Sequence, residues 1–319
     1  MNKNVLYSIV SIAGTIILGF AIMIMFIHVP DGGPSRKTTV SSGENMPIKT
    51  KATAASTADI VEAKFKDFMP PSLDDVPAGE KGEQIKHGYK YLSETATTLD
   101  GYVGNSLSCT SCHANGGNGP ELDLIGITKT YPAYNARAGK EVSIEDRING
   151  CFRRSMNGKP LLKDGSEMKA MVAYLDYISS NVPTGIKERP WAALDKIDGD
   201  ITQVNTDRGR DIYQKACITC HGENGEGNNN GLAVFGDNSY NIGAGMGRIR
   251  TAAAFIKDFM PKAATGGIEP GTLTRQEALD VAAYINAQAR PDFLDKIYDW
   301  PKGDAPDDAA YETLAQKKK

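Results

Sequence analysis

The apolar positions of this chain fall into two regimes. Residues 5–29 are apolar almost without a break and carry no formal charge when His28 is neutral. At about 1.5 Å per residue such a run crosses a hydrocarbon core of roughly 30 Å, so it predicts an N-terminal membrane-spanning helix within residues 1–30. The run ends in the bulky string Met25-Phe26-Ile27-His28-Val29-Pro30, whereas a cleaved signal peptide ends small-x-small; the segment is therefore expected to persist as an anchor. Residues 31–58 are rich in Gly, Ser, Thr, Lys and Ala without periodicity and predict a flexible tether. Beyond the tether, apolar residues recur at helical spacing. A short helical piece is expected over 59–65. Longer helices are expected over 80–92, with Ile85, Tyr89 and Leu92 on one face; over 143–156, with Ser143 as N-cap; and over 167–179, with Met168, Met171, Val172 and Leu175 as a core stripe. A second set follows: a helix from Arg208 running toward 217, one over 251–258, and a last one over 275–289 behind Thr274. No βαβ pattern is present, and the expected fold class is all-α.

Two short strings stand among these helices. Cys109-Thr110-Ser111-Cys112-His113 and Cys217-Ile218-Thr219-Cys220-His221 both read C-x-x-C-H. This is the attachment signal of a c-type haem, in which two thiols form thioethers to the macrocycle and the histidine binds iron. Half a zinc site would want a second ligand pair nearby, and a redox dithiol would sit in a βαβ unit; neither context exists here. Two covalently bound c-type haems are therefore expected, attached through Cys109, Cys112, Cys217 and Cys220 and ligated by His113 and His221. Around each motif the order is the same: a helix, the motif, a glycine-rich loop, a candidate sixth ligand and an amphipathic closing helix. The repeat has a period near 108 residues. It predicts two fused cytochrome c-type domains, over 59–185 and 200–290, followed by a C-terminal extension with a basic tail over 291–319.

Composition narrows the ligand question. The chain has five cysteines and four histidines. Four cysteines are consumed by haem, which excludes a disulfide framework and leaves Cys151. His28 lies in the apolar run and His87 lies off the apolar face of its helix, a solvated position, so bis-histidine ligation at both irons is all but excluded. Cys151 follows His113 by 38 residues. It is either a buried free cysteine or a thiolate ligand of the first haem, with Met156, Met168 and Met171 as rivals. Arg147, Arg153 and Arg154 flank it and would favour the thiolate. Met260 follows His221 by 39 residues and precedes Pro261, with Met246 as its rival for the second iron. Unequal ligands set unequal potentials, which gives electron flow a direction. The net charge of −3 implies no nucleic-acid partner. Covalent c-type attachment is expected on the outer side of the cytoplasmic membrane, so both haem domains are expected to be periplasmic or otherwise extracytoplasmic.

Several strings resemble dihaem thiosulfate dehydrogenases. They are Tyr102-Val103-Gly104-Asn105, the first C-x-x-C-H, Tyr131-Pro132-x-Tyr134, the block 147–158 around Cys151, the block 240–246, and Asp299-Trp300-Pro301. The likeness runs from about residue 80 to 311. It implies an enzyme that joins two thiosulfates into tetrathionate and passes two electrons to haem, with the reverse reaction open to some members. It makes His113 and Cys151 the ligands of an active-site haem at the domain interface, and His221 and Met260 those of an electron-exit haem. It places Arg137, Arg147 and Ser155 on the sulfur oxyanions, where guanidinium forks suit sulfonate oxygens. Some relatives carry a lysine just before the exit-haem methionine; here Phe259 stands there, and constant His/Met ligation is expected. The simplest members lack a membrane span. The expected partners are thiosulfate, tetrathionate and a redox protein, either a small cytochrome or a membrane electron-transfer component. Two other readings stay open: a non-catalytic dihaem electron carrier, and an enzyme acting on another sulfur oxyanion.

Overall fold

Six helices of eleven residues or more frame the protein in a computed structural model that describes residues 68–318 except 193, 195, 196 and 199. They are α1 (Glu80–Ser93), α2 (Ile144–Arg154), α3 (Ser166–Ile178), α4 (Thr206–Ala216), α5 (Ile249–Phe259) and α6 (Arg275–Asn286). The expected anchor, tether and helical piece over 59–65 lie outside the described residues. Among those described, no helix is long and apolar enough to cross a membrane.

The helix starts follow local chemistry. Ser143 and Asp146 form a capping box at α2: the serine hydroxyl accepts from the Asp146 amide, and the carboxylate accepts from the Ser143 amide at 3.2 Å. Thr274 and Glu277 do the same at α6, and the Asn205 side chain accepts from the Arg208 amide at α4. The last helix stops at Asn286 rather than at 289. Pro291 disfavours helical backbone at Arg290, and the chain leaves the helix ahead of it.

Two apolar cores result. In the first, α1 packs on α3 through Ile85, Leu92, Met168, Met171 and Tyr174. In the second, α6 packs on α4 and α5 through Leu279, Ala282, Ile212, Tyr213 and Ala253. A glycine sits at each crossing because backbone meets backbone there. A Cβ on Gly88 would stand 2.0 Å from the Ala170 carbonyl oxygen, and one on Gly209 would stand 2.1 Å from that of Asp280. The repeat in the sequence is thus a repeat of packing.

Three features tie the halves together around the C-terminal end of α2. The segment around 240 crosses over: Tyr240 and Ala244 are buried in the first core. Asn241 is buried; its amide nitrogen donates to the Arg153 carbonyl at 2.8 Å, its backbone N–H donates to that of Arg154 at 3.1 Å, and its amide oxygen accepts from the Gly243 N–H at 3.1 Å. Asn105, just before the first motif, donates to the carbonyls of Ser155 (3.0 Å) and Ser239 (3.2 Å). Finally, a small hairpin, β1 (Ala133–Asn135) with β2 (Lys140–Val142), pairs Ala133 with Val142 and carries Arg137 in its turn. The helical pattern of the sequence gave no sign of this hairpin, whose strands are three residues each.

Candidate active site

Each motif histidine is held by a backbone carbonyl. His113 Nδ1 lies 2.6 Å from the Leu122 oxygen, and His221 Nδ1 lies 2.8 Å from that of Leu232. A carbonyl only accepts, so Nδ1 carries the proton and Nε2 keeps the lone pair that a metal needs. Burial pushes the His113 pKa down to about 4 and lowers that of His221, which keeps both rings neutral. Burial acts in the opposite direction on the motif thiols, pushing Cys109 up to about 12, Cys112 to about 11 and Cys217 to about 12. Such a site disfavours free thiolates and suits uncharged thioethers.

A cavity of about 1220 Å³ opens beside the first motif. Cys112 and His113 line it from one element, and Arg147, Cys151 and Ser155 from α2 and its C-cap. Arg137 lines it from the hairpin turn. The structure thus gathers Cys151, Arg137, Arg147 and Ser155 in one space with His113. The rival ligands Met156, Met168 and Met171 are all within the first core, 3%, 0% and 1% exposed, and none lines the cavity.

The three arginines around Cys151 part ways. Arg147 Nη1 donates to the Cys151 sulfur at 2.9 Å, and the sulfur raises the pKa of Arg147. Arg153 turns to Asp295, and Arg154 to Asp299 at 2.7 Å. Of the three, Arg147 alone reaches the sulfur: helical spacing puts residue i+4 over Arg147, whereas Arg153 and Arg154 pair with carboxylates of the C-terminal extension. Arg137 stacks on Trp300 with its guanidinium 4.6 Å from the ring centre, donates to the Gly243 carbonyl, and lies 3.8 Å from Asp299. Asp299 also accepts from the Tyr311 hydroxyl at 2.6 Å. The extension is thus the wall that aims Arg137 and Arg154. Asp299 and Trp300 carried no chemical signal in the sequence beyond the family likeness, because a lone carboxylate in a loop reads as a solvated charge.

In the second half, Met260 caps the C-terminal end of α5 and packs against the second core with Cys217 and Ile218. Its rival Met246 touches both cores and lines the first cavity. His87 is exposed, as its helical position implies.

The residues fit a c-type haem at the first motif. One neutral histidine offers Nε2, two half-buried thiols stand beside it, and a sulfur from α2 shares the cavity. Gly150 lines the same cavity from the middle of α2, with nothing within 4 Å of where its Cβ would stand.

The comparisons with known proteins follow the same division. A family model described as SoxA/TsdA, cytochrome c domain, matches residues 97–184, and one described as cytochrome c matches 206–289. A thiosulfate dehydrogenase of Psychrobacter arcticus is 38% identical over 273 residues, covering 83% of this chain and 81% of the relative. This chain belongs to the thiosulfate dehydrogenase family. The family member from Allochromatium vinosum is 35% identical over 73% of this chain and 86% of its own length. A solved thiosulfate dehydrogenase (TsdBA) of Marichromatium purpuratum superposes with a TM-score of 0.66 at 33% identity, covering 75% of this chain. The present chain spans 52% of that longer one. With two cytochrome c domains in this family, the protein carries two covalently bound c-type haems.

Proposed function

We propose that this protein oxidises thiosulfate, joining two molecules into tetrathionate, with tetrathionate reduction as the same reaction in reverse. One observation carries the reading: Cys151 and Arg147 meet His113 in a cavity rich in basic side chains. The relatives named thiosulfate dehydrogenase support it.

Cys109 and Cys112 would attach the first haem and His113 and Cys151 would hold its iron; Cys217 and Cys220 would attach the second, with His221 and Met260 holding its iron. When bound, the haems would supply the electron-accepting chemistry for the two electrons released when two thiosulfates are joined. The chain supplies the rest. Two thiosulfates are dianions that repel, and Arg137 and Arg147 bring positive charge to their sulfonate oxygens. The Ser155 hydroxyl adds a neutral donor. Arg147 holds the Cys151 sulfur at one wall of the cavity, facing the substrates that Arg137 draws from the hairpin side. Gly243 and Asp299 fix Arg137 so that it need not reorganise when an anion arrives.

The remaining parts of the reading concern location. Residues 5–29 anchor the chain, 31–58 tether it, and both haem domains, 59–185 and 200–290, work on the periplasmic face. There a small cytochrome or a membrane electron-transfer component takes electrons from the second haem. Purified holoprotein tests the function directly. Thiosulfate should reduce its haems and drive reduction of ferricyanide, and tetrathionate should oxidise the reduced protein. A haem spectrum indifferent to both compounds would leave a plain dihaem carrier; a response to a different sulfur oxyanion alone would redirect the substrate.

A further inference from the structure

Seven lysines and arginines line the first cavity against three aspartates. Each aspartate has a basic partner there: Asp146 with Lys163, Asp295 with Arg153, Asp299 with Arg154. Arg137, Lys140, Arg147 and Arg248 remain in surplus. Arg137 is held by Gly243 and Trp300, Arg147 by the Cys151 sulfur, and Lys140 is exposed to water. Arg248 differs from all of these. It is half-buried at the first residue before α5, its Nε is fully buried without a hydrogen-bond partner, and among the described residues no carboxylate pairs with it.

Leaving a buried guanidinium nitrogen unmatched is costly, and native structures keep few such atoms. The neighbouring arrangement makes the cost more telling. Arg250, two residues on, pairs with Asp307 on the outside of the molecule. The arginine lacking a carboxylate is the one that faces the cavity. It stands close enough to Arg137 for the two charges to oppose each other. Thr251, in the first turn of α5, lines the cavity beside it, so the positive end of the helix is directed to the same place.

We propose that Arg248 is a substrate-binding arginine contributed by the second domain, which holds the sulfonate of the thiosulfate lying farther from Arg147. This deepens the thiosulfate reading and rests on it. The two halves of the chain then each supply guanidinium groups to one substrate pair: Arg137 and Arg147 from the first, Arg248 from the second. The four surplus cations stand against two dianions. The domain interface becomes a condition of substrate binding and not only of electron transfer.

The test uses the full-length holoprotein and two readouts. Tetrathionate binding to the oxidised protein, where no electrons are available for turnover, is measured by calorimetry; the KM for thiosulfate is measured with ferricyanide. Arg248→Ala should weaken tetrathionate binding and raise KM by about ten- to a hundredfold, the range of one charge-assisted hydrogen bond. Arg248→Lys, which keeps the charge without the fork, should fall between. Should Arg248→Ala fail to accumulate, the Lys and Gln variants order the same way. Unchanged binding and KM in Arg248→Ala, with wild-type protein active, overturns the assignment. A shifted haem midpoint potential with unchanged affinity also overturns it, making Arg248 a haem-propionate partner. If wild-type protein neither turns over thiosulfate nor binds tetrathionate, the functional reading itself has failed and Arg248 falls with it.

Discussion

Arg147 and Cys151 stand one turn apart on α2, and the guanidinium donates to the sulfur at 2.9 Å. Both side chains face the cavity that holds His113. An i, i+4 pair inside a capped helix is a rigid unit, so the sulfur and the positive charge keep their spacing while substrates come and go. Cys151→Gly should leave both haems attached, by absorbance and mass, and abolish turnover; full activity in that variant would remove Cys151 from the mechanism. Arg147→Lys should lower kcat/KM by about ten- to a hundredfold, because an ammonium offers no planar fork.

Asp299 is a second determinant, and its effect is indirect. Its buried carboxylate receives Arg154 and the Tyr311 hydroxyl and lies near Arg137. Removing one partner from a buried ion pair costs about 3–5 kcal/mol, so Asp299→Ala should show a loss of that size in denaturant melts, together with a raised KM for thiosulfate. Asp299→Asn, which can still accept from Tyr311, should lose less. Equal midpoints for all three proteins would mean that the extension is not held by this residue.

The glycine crossings predict a symmetric pair of lesions. Gly88→Ala and Gly209→Ala each drive a methyl group into a carbonyl oxygen of the closing helix. Overpacking of this kind costs about 3 kcal/mol, and each variant should unfold at correspondingly lower denaturant with its own half affected first. Hydrogen exchange resolved by segment would show which half opens. A uniform effect on both halves would contradict the two-core packing.

A pH effect follows from Asp123. It is buried, and desolvation pushes its pKa up to about 6, with Arg189, 3.8 Å away, countering in part. A carboxyl whose folded value lies above its unfolded one favours folding while protonated. Its contribution is full below about pH 4, the ordinary aspartate value, and is lost as pH rises through about 6. Asp123→Asn should therefore flatten the fall in stability between those limits, by on the order of 2–3 kcal/mol. Thermal melts of both proteins across pH 4 to 7 give the comparison; parallel curves would place the shift elsewhere.

Much of this protein is legible in one dimension. The helices expected over 80–92 and 167–179 match α1 and α3 within one residue at either end. The expected α5 was short by two residues at its start, because Arg248 offers no side-chain cap by which to find it. Ser143 and Thr274 could be read as caps because a capping box is a property of four consecutive residues. The two C-x-x-C-H strings were readable for the same reason: the haem attachment chemistry is local.

The features legible in the amino-acid order are those whose physics is local: helical periodicity, caps, two haem motifs, and a candidate sulfur a fixed distance beyond each. Packing in three dimensions selected which candidates share a space. It put Cys151 in the cavity and Met156, Met168 and Met171 in the core, paired Arg153 and Arg154 with Asp295 and Asp299 on the cavity wall, and brought Arg248 in from the other half. These outcomes depend on contacts between residues from tens to more than a hundred positions apart. Such contacts leave no period or spacing in the chain, because a charge's partner is fixed by packing and not by its neighbours in sequence.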